Sequence, residues 1–379
     1  MNGAVRDVRC GTRVAAVAAA VALAAGVACA SVSLTSQAQR GPVRLLLTAP
    51  PRALVIEQRA IQLAPGTNRV TVQWDRARVD RASVFLRAPE AGADVDLSGA
   101  IFPRGMDNAV CWDVATTTGQ PVTLEALYRL DGLTWAPEYR IEMAPGAEQG
   151  LFRATALLAN NTGDDLPSAG YFVGNQCIGE RPLVNGETVK LEFLENPALP
   201  LAPQVVFDAS RYGNAVVLRA RLANTTESGL GCEALYRGKV RTYLHNAEGV
   251  LALSGEDELP DLPLGSTADV FLCYQDDLRA ARTESPSTDV NVRRDSRGRT
   301  VVYDSDQTRR IEFENPRPEP VTIRVIEHAD GQWQIGRSTH AYTRVDATTL
   351  EFTVDVPAAG EANGKAALEY RLRRQNLAP

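Results

Sequence analysis

The sequence predicts an all-β protein of two or three β-sandwich domains, with antiparallel strands and few helices. Three observations predict it. Short apolar-alternating or β-branched runs dominate the chain, and Gly, Pro, Asn and Asp bound them about every ten residues, which is the spacing of sandwiches. Helical periodicity is nearly absent.

In order, the expected strands are Val43 to Leu47, Ala53 to Leu63, Asn68 to Trp74, Ala82 to Leu86, Val122 to Leu130 and Tyr139 to Met143. Phe152 to Leu158, Thr188 to Phe193, Ala215 to Leu222, Val240 to Leu244 and Ala268 to Tyr274 follow. Val301 to Tyr303, Arg309 to Phe313, Val321 to Glu327 and Leu350 to Val356 complete the set. Leu194 to Pro203, with prolines at 197, 200 and 203, reads as a linker or extended loop, because proline cannot donate to a sheet ladder. Arg279 to Arg299 reads as a polar loop or hinge with a short strand near Val290 to Val292. These breaks place domains at 40–115, 116–280 and 281–379.

One local pattern occurs three times: a strand that runs into Asn and then a polar turn, at Asn160, Asn224 and Asn315. Asn tolerates left-handed backbone angles and bonds its own turn. Asn160 and Asn224 also stand in Asn-x-Thr sequons.

Residues 1–30 read as a targeting segment, a basic start at Arg6, Arg9 and Arg13 followed by the apolar run Val14 to Ala28, too short to span a bilayer comfortably. Ala28-Cys29-Ala30 suits cleavage before Ser31, and Val27-Ala28-Cys29 equally presents Cys29 for lipidation, against which Gly26 stands where a Leu is usual. Removing residues 1–30 takes away three Arg and one Asp and leaves a net charge of −8, which disfavours nucleic acid and anionic lipid. Contact with a membrane is therefore expected only through a lipid on Cys29. Cys111, Cys177, Cys232 and Cys273 remain, far apart and without a Cys-x-x-Cys pair, so zinc is not expected. Export favours two disulfides, with Cys111–Cys177 and Cys232–Cys273 preferred among three connectivities; free buried thiols are the alternative.

The stretch Tyr128-Arg129-Leu130-Asp131-Gly132-Leu133-Thr134-Trp135-Ala136-Pro137-Glu138-Tyr139 resembles the signature of the bacterial mucoidy-inhibitor-A-like family, whose C-terminal domain has no assigned function. Residues 59–68, 159–165, 244–265 and 314–357 are similar to further parts of that family in the same order, so the resemblance covers most of 50–372. Relatives often carry a long helical hairpin or coiled coil after the opening domain; residues 87–121 are too short and too rich in turn residues for one. The family implies an envelope role linked to surface properties. Independently, Tyr128, Trp135 and Tyr139 around Gly132 suit a sandwich corner in which each polar tip finds a backbone partner. The alternative is an exposed platform stacking on sugar rings, and Trp333 carries the same two readings.

No catalytic residues are expected. His245, His328 and His340 lack metal-ligand spacing, and no Gly-x-Ser-x-Gly elbow or phosphate-cradling loop occurs. Acidic clusters at Asp94/Asp96, Asp164/Asp165, Glu256/Asp257/Glu258 with Asp261, and Asp304/Asp306 lack the EF-hand register for calcium. No cofactor is expected. The reading is a non-enzymatic exported envelope protein, a scaffold or interaction module whose partner is another envelope protein. Its alternatives are a binding module for surface polysaccharide and a hydrolase using an acidic pair.

Overall fold

The computed structural model describes residues 30–35, 43–74, 78–89, 94–119, 121–246 and 248–379. The targeting segment through Cys29 lies outside them. The chain is all-β, 64% strand and 3% helix, in several sheets dominated by antiparallel pairing.

The first strands are β1 (Ala30–Thr35), β2 (Val43–Leu47), β3 (Arg52–Gln62), β4 (Gly66–Gln73), β5 (Phe85–Arg87), β6 (Asp96–Leu97) and β7 (Ala109–Thr116). Then come β8 (Pro121–Met143), β9 (Gln149–Asn160), β10 (Leu166–Val173), β11 (Gln176–Leu183), β12 (Thr188–Pro200) and β13 (Pro203–Asp208). One helical turn, α1 (Ala209–Tyr212), precedes β14 (Val216–Ala223), β15 (Gly238–His245), β16 (Leu251–Leu259) and β17 (Thr267–Tyr274). The last strands are β18 (Arg279–Glu284), β19 (Thr288–Arg294), β20 (Thr300–Glu314), β21 (Val321–His328), β22 (Gln332–Ser338), β23 (Tyr342–Arg344), β24 (Thr349–Val356) and β25 (Lys365–Leu377).

One pairing rule recurs four times. In each unit the first strand pairs antiparallel with the fourth, and the second with the third. The units are β3-β4-β7-β8, β9-β10-β11-β12, β14-β15-β16-β17 and β20-β21-β24-β25. The two pairs pack on each other, as the mixed membership of the apolar clusters shows: Leu368 and Ile311 of one pair meet Ile323 and Val354 of the other. Alternation drives this, since β9 buries every second side chain and leaves the others partly exposed.

The units are interlocked by a linking strand before each first strand. β2, the second half of β8, β13 and β18 each pair antiparallel with the strand that follows, or in the case of β18 with β20. On its other edge β2 pairs parallel with β10 of the next unit, β8 with β15, and β13 with β21. β1 repeats the parallel step against β4. A single sheet thus supplies one layer of one unit and the opposite layer of the next. Strand pairing therefore crosses both expected domain boundaries, β3 with β8 at the first and β13 with β21 at the second.

The three Asn patterns are the corners of the last three units. Asn160 Nδ2 donates to the carbonyls of Asp164 (2.9 Å) and Leu183 (3.0 Å), and Asn224 Nδ2 to those of Glu233 and Leu262 (both 2.9 Å). Asn315 Nδ2 donates to Glu319 (2.8 Å) and Pro357 (3.0 Å). Their backbone N–H groups donate to Glu187, Ser266 and Gly364, each just before the unit's fourth strand. One buried amide thus ties the start of the second strand, the end of the third and the entry to the fourth. Full burial also removes Asn160 and Asn224 as glycan acceptors. In the first unit, Asn68 on the second strand bonds the corner at Ala64 instead.

Two expected loops are strands. β12 runs through Pro197 with a register shift between Asn196 and Leu199, so the proline sits where the ladder is already broken. The polar segment 279–299 forms β18 and β19, both paired with β20. Polarity there marks solvent exposure rather than absence of pairing.

Candidate functional site

The aromatic motif lies on β8, which serves as fourth strand of the first unit and linking strand of the second. Gly132 makes the bend between the two roles: its φ is +88°, and a Cβ there would lie 2.4 Å from the carbonyl oxygen of Asn161. Tyr128 is buried, donates its hydroxyl to Glu57, and meets Trp74 edge-on at 5.0 Å. Trp135 is 2% exposed, and its Nε1 donates to the carbonyls of Thr48 (2.9 Å) and Arg52 (3.0 Å) in the β2–β3 turn. Tyr139 stacks on Phe152 and donates to the Tyr236 carbonyl at 2.6 Å; burial holds its phenol far above the usual range. Trp333 is 6% exposed, donates to the Ala347 carbonyl at 2.7 Å, and carries the Arg344 guanidinium 4.2 Å from its ring centre. The motif is a buried joint, and neither Trp135 nor Trp333 presents a ring on which a sugar could stack.

The expected disulfides are not formed. Cys111, Cys177, Cys232 and Cys273 are free thiols. Cys111 is buried on β7 against Thr71 Oγ1 (3.2 Å), and Cys177 is exposed in β11. Cys232 is exposed in the loop after β14, and Cys273 on β17 accepts from Gln275. Burial pushes the Cys273 thiol up, so it is a weak nucleophile. We expect the melting temperature to be the same with and without dithiothreitol, and four thiols to titrate after denaturation of the processed chain. A drop on reduction would restore the disulfide reading.

The acidic clusters are taken up by internal donors. Asp94 accepts from the backbone N–H groups of Thr117 (2.9 Å) and Thr118 (3.1 Å), Asp165 from Asn185 (2.8 Å), and Asp261 from Arg237 (2.8 Å). Asp257 pairs with Arg211 at 2.6 Å, and Asp304 accepts from Asn291 at 2.7 Å. Among the described residues no group of three or more His, Cys, Asp or Glu could hold a metal ion.

Buried carboxylates at Glu57, Glu125, Glu327 and Asp306 are ion-paired, and of these the sequence singled out only Asp306. Glu125 is met by Arg44 and Arg87, and Glu327 by Arg282 (2.8 Å) and Arg309 (3.0 Å) with the Tyr370 hydroxyl at 2.5 Å. Asp306 is held by Arg373 at 2.8 Å and by Arg371. The hydrogen bond from Arg373, reinforced by Arg371, keeps the Asp306 carboxyl below the usual carboxylate range. A depressed folded pKa gives stability that is present above the unfolded value of about 3.9 and lost as pH falls through the folded one. Asp306→Asn should therefore lower stability at neutral pH and weaken its fall below about pH 4; an unchanged acid limb would contradict this.

One arrangement invites a catalytic reading. Asp208 lies between Ser210, whose Oγ donates to it at 2.6 Å, and His328, whose Nε2 is 3.6 Å away. A nucleophile needs its base beside it, with the carboxylate behind the base. Here the carboxylate occupies the base's place, and it also accepts the Ser210 and Arg211 N–H groups as the cap of α1. The adjoining crevice holds about 140 Å³.

Wider grooves lie elsewhere, among them two of about 690 and 630 Å³. The first runs where the β8–β9 turn meets the β12–β13 connection, beside Leu218 and Arg317. The other lies over β18, β20 and β25 between Arg279, Glu312 and Lys365. Neither brings together aromatic faces with convergent polar groups, the usual furniture of a ligand site. No family model matches the chain, and no curated protein matches it.

Proposed function

We propose that this chain is a non-enzymatic exported envelope protein whose interlocked sandwiches act as a scaffold for contacts with another envelope protein. The observation that supports it most is the linking-strand rule, by which β2, β8 and β13 each join one unit to the next while the carboxylates and histidine-bearing crevice serve the fold. Export rests on the basic start and the apolar run Val14 to Ala28. The resemblance carried by Tyr128 to Tyr139 points to the same compartment.

The test is in-cell crosslinking of the tagged native protein, with mass spectrometry of what is captured and the mature N-terminus read from the same sample. One or two dominant envelope proteins support the scaffold reading. Recovery of polysaccharide alone overturns it, and a mature chain still carrying residues 1–28 overturns export.

A further inference from the structure

The two ends of the array differ in how their open edges are treated. Each linking strand has two edges, one taken antiparallel by a first strand and the other parallel by a second strand of the next unit. β18 has the antiparallel partner β20, and among the described residues no strand pairs with its other edge. That edge is blunted. β18 carries Arg279, Arg282 and Glu284, Arg282 turns inward onto buried Glu327, and the Arg282 N–H is taken by Asn214 Oδ1 at 3.3 Å. Charged and inward-pointing residues are how natural sheets keep an edge from pairing.

β1 is the opposite case. It pairs parallel with β4, from Ala30 opposite Asn68 to Thr35 opposite Gln73, and among the described residues its other edge has no strand. Its sequence Ala-Ser-Val-Ser-Leu-Thr contains no charge and no proline, so it lacks the residue types that blunt an edge from within the strand. At the corresponding edge, β2, β8, β13 and β18 all carry an antiparallel strand.

We infer that the open edge of β1 is a self-association site, pairing antiparallel with β1 of a second copy across a two-fold axis. The missing neighbour is antiparallel in every linked unit, and a two-fold axis supplies that orientation from an identical strand. An uncharged strand meets its own copy without like-charge repulsion. Side chains alternate faces with period two, so the dyad must fall on a residue and not between two, which places it at Val32 or Ser33. Cleavage before Ser31 and acylation at Cys29 both leave these residues in place. Strand pairing alone makes a small interface, so the dimer is weak. The inference rests on the interaction reading above and gives it a specific partner.

The test is a sedimentation-velocity concentration series on the processed protein, with Val32→Pro beside it. The expected result is a monomer–dimer equilibrium that Val32→Pro weakens by about tenfold or more, with an unchanged circular-dichroism melt showing that the four units still fold. In a Cys177→Ser, Cys232→Ser background, one of Val32→Cys or Ser33→Cys should give a disulfide-linked dimer under mild oxidation. A monomer at every concentration overturns the inference, as does association that resists Val32→Pro but is lost in Thr283→Pro, which would mean head-to-tail contact through β18. If the purified protein is monomeric while one envelope protein is still captured in cells, self-pairing fails and the scaffold reading stands.

Discussion

Trp135→Ala is expected to destabilise the chain by about 4 kcal/mol, the middle of the range for loss of a buried aromatic. The side chain is buried at the joint where β8 passes from the first unit to the second, meets Tyr236 edge-on at 5.9 Å, and closes the β2–β3 turn through two carbonyls. Alanine leaves a cavity, and those carbonyls lose their donor. Urea denaturation followed by circular dichroism reads the effect as a lower midpoint; Trp135→Phe should recover part of the packing and none of the hydrogen bonding. An unchanged midpoint for alanine would mean that the ring is not part of the core.

Asn160→Ala should cost about 3 kcal/mol, because several buried hydrogen bonds vanish together and carbonyls without partners cost about 1–3 kcal/mol each. Besides its two donated bonds, Asn160 accepts from the Thr162 N–H at 3.1 Å and from its hydroxyl at 2.7 Å. Asn315→Ala should behave alike, as Asn315 accepts from the Arg317 N–H at 3.0 Å. Asn224→Ala should cost less, since its Oδ1 has no hydrogen-bond partner. The same denaturation series orders the three, and equal losses at all three corners would contradict the pairing described.

The local part of this fold was legible in the sequence, and the long-range part was not. Alternation exposes a strand such as β9 directly, and the corner asparagines stood out because each closes a turn with its own side chain. The pairing partner of a strand leaves no such local trace. Nothing in Pro203–Asp208 announces that it will lie parallel to Val321–His328, more than a hundred residues away, which is why boundaries drawn at composition breaks cut through shared sheets. Pro197 and the charges of β18 misled for a related reason: both are tolerated at bulges and edges, positions that only the assembled sheet defines. At the candidate site, burial of Trp135 and Trp333 follows from their falling on the inward-facing positions of β8 and β22. The thiols were read from compartment chemistry, which says nothing of distance; a disulfide needs Cα atoms within about 7 Å.

Native-state hydrogen exchange of the linking strands tests the interlocked array most directly. Val205 to Phe207 of β13 are paired on both edges, with β14 and with β21, and Leu45 and Leu46 of β2 are paired with β3 and β10. The account predicts that their amides exchange among the slowest in the chain, at rates set by opening of two neighbouring units together. Exchange of β13 and β2 as fast as the loops, with the second and third strands of each unit still protected, would show independent units and contradict the linking rule.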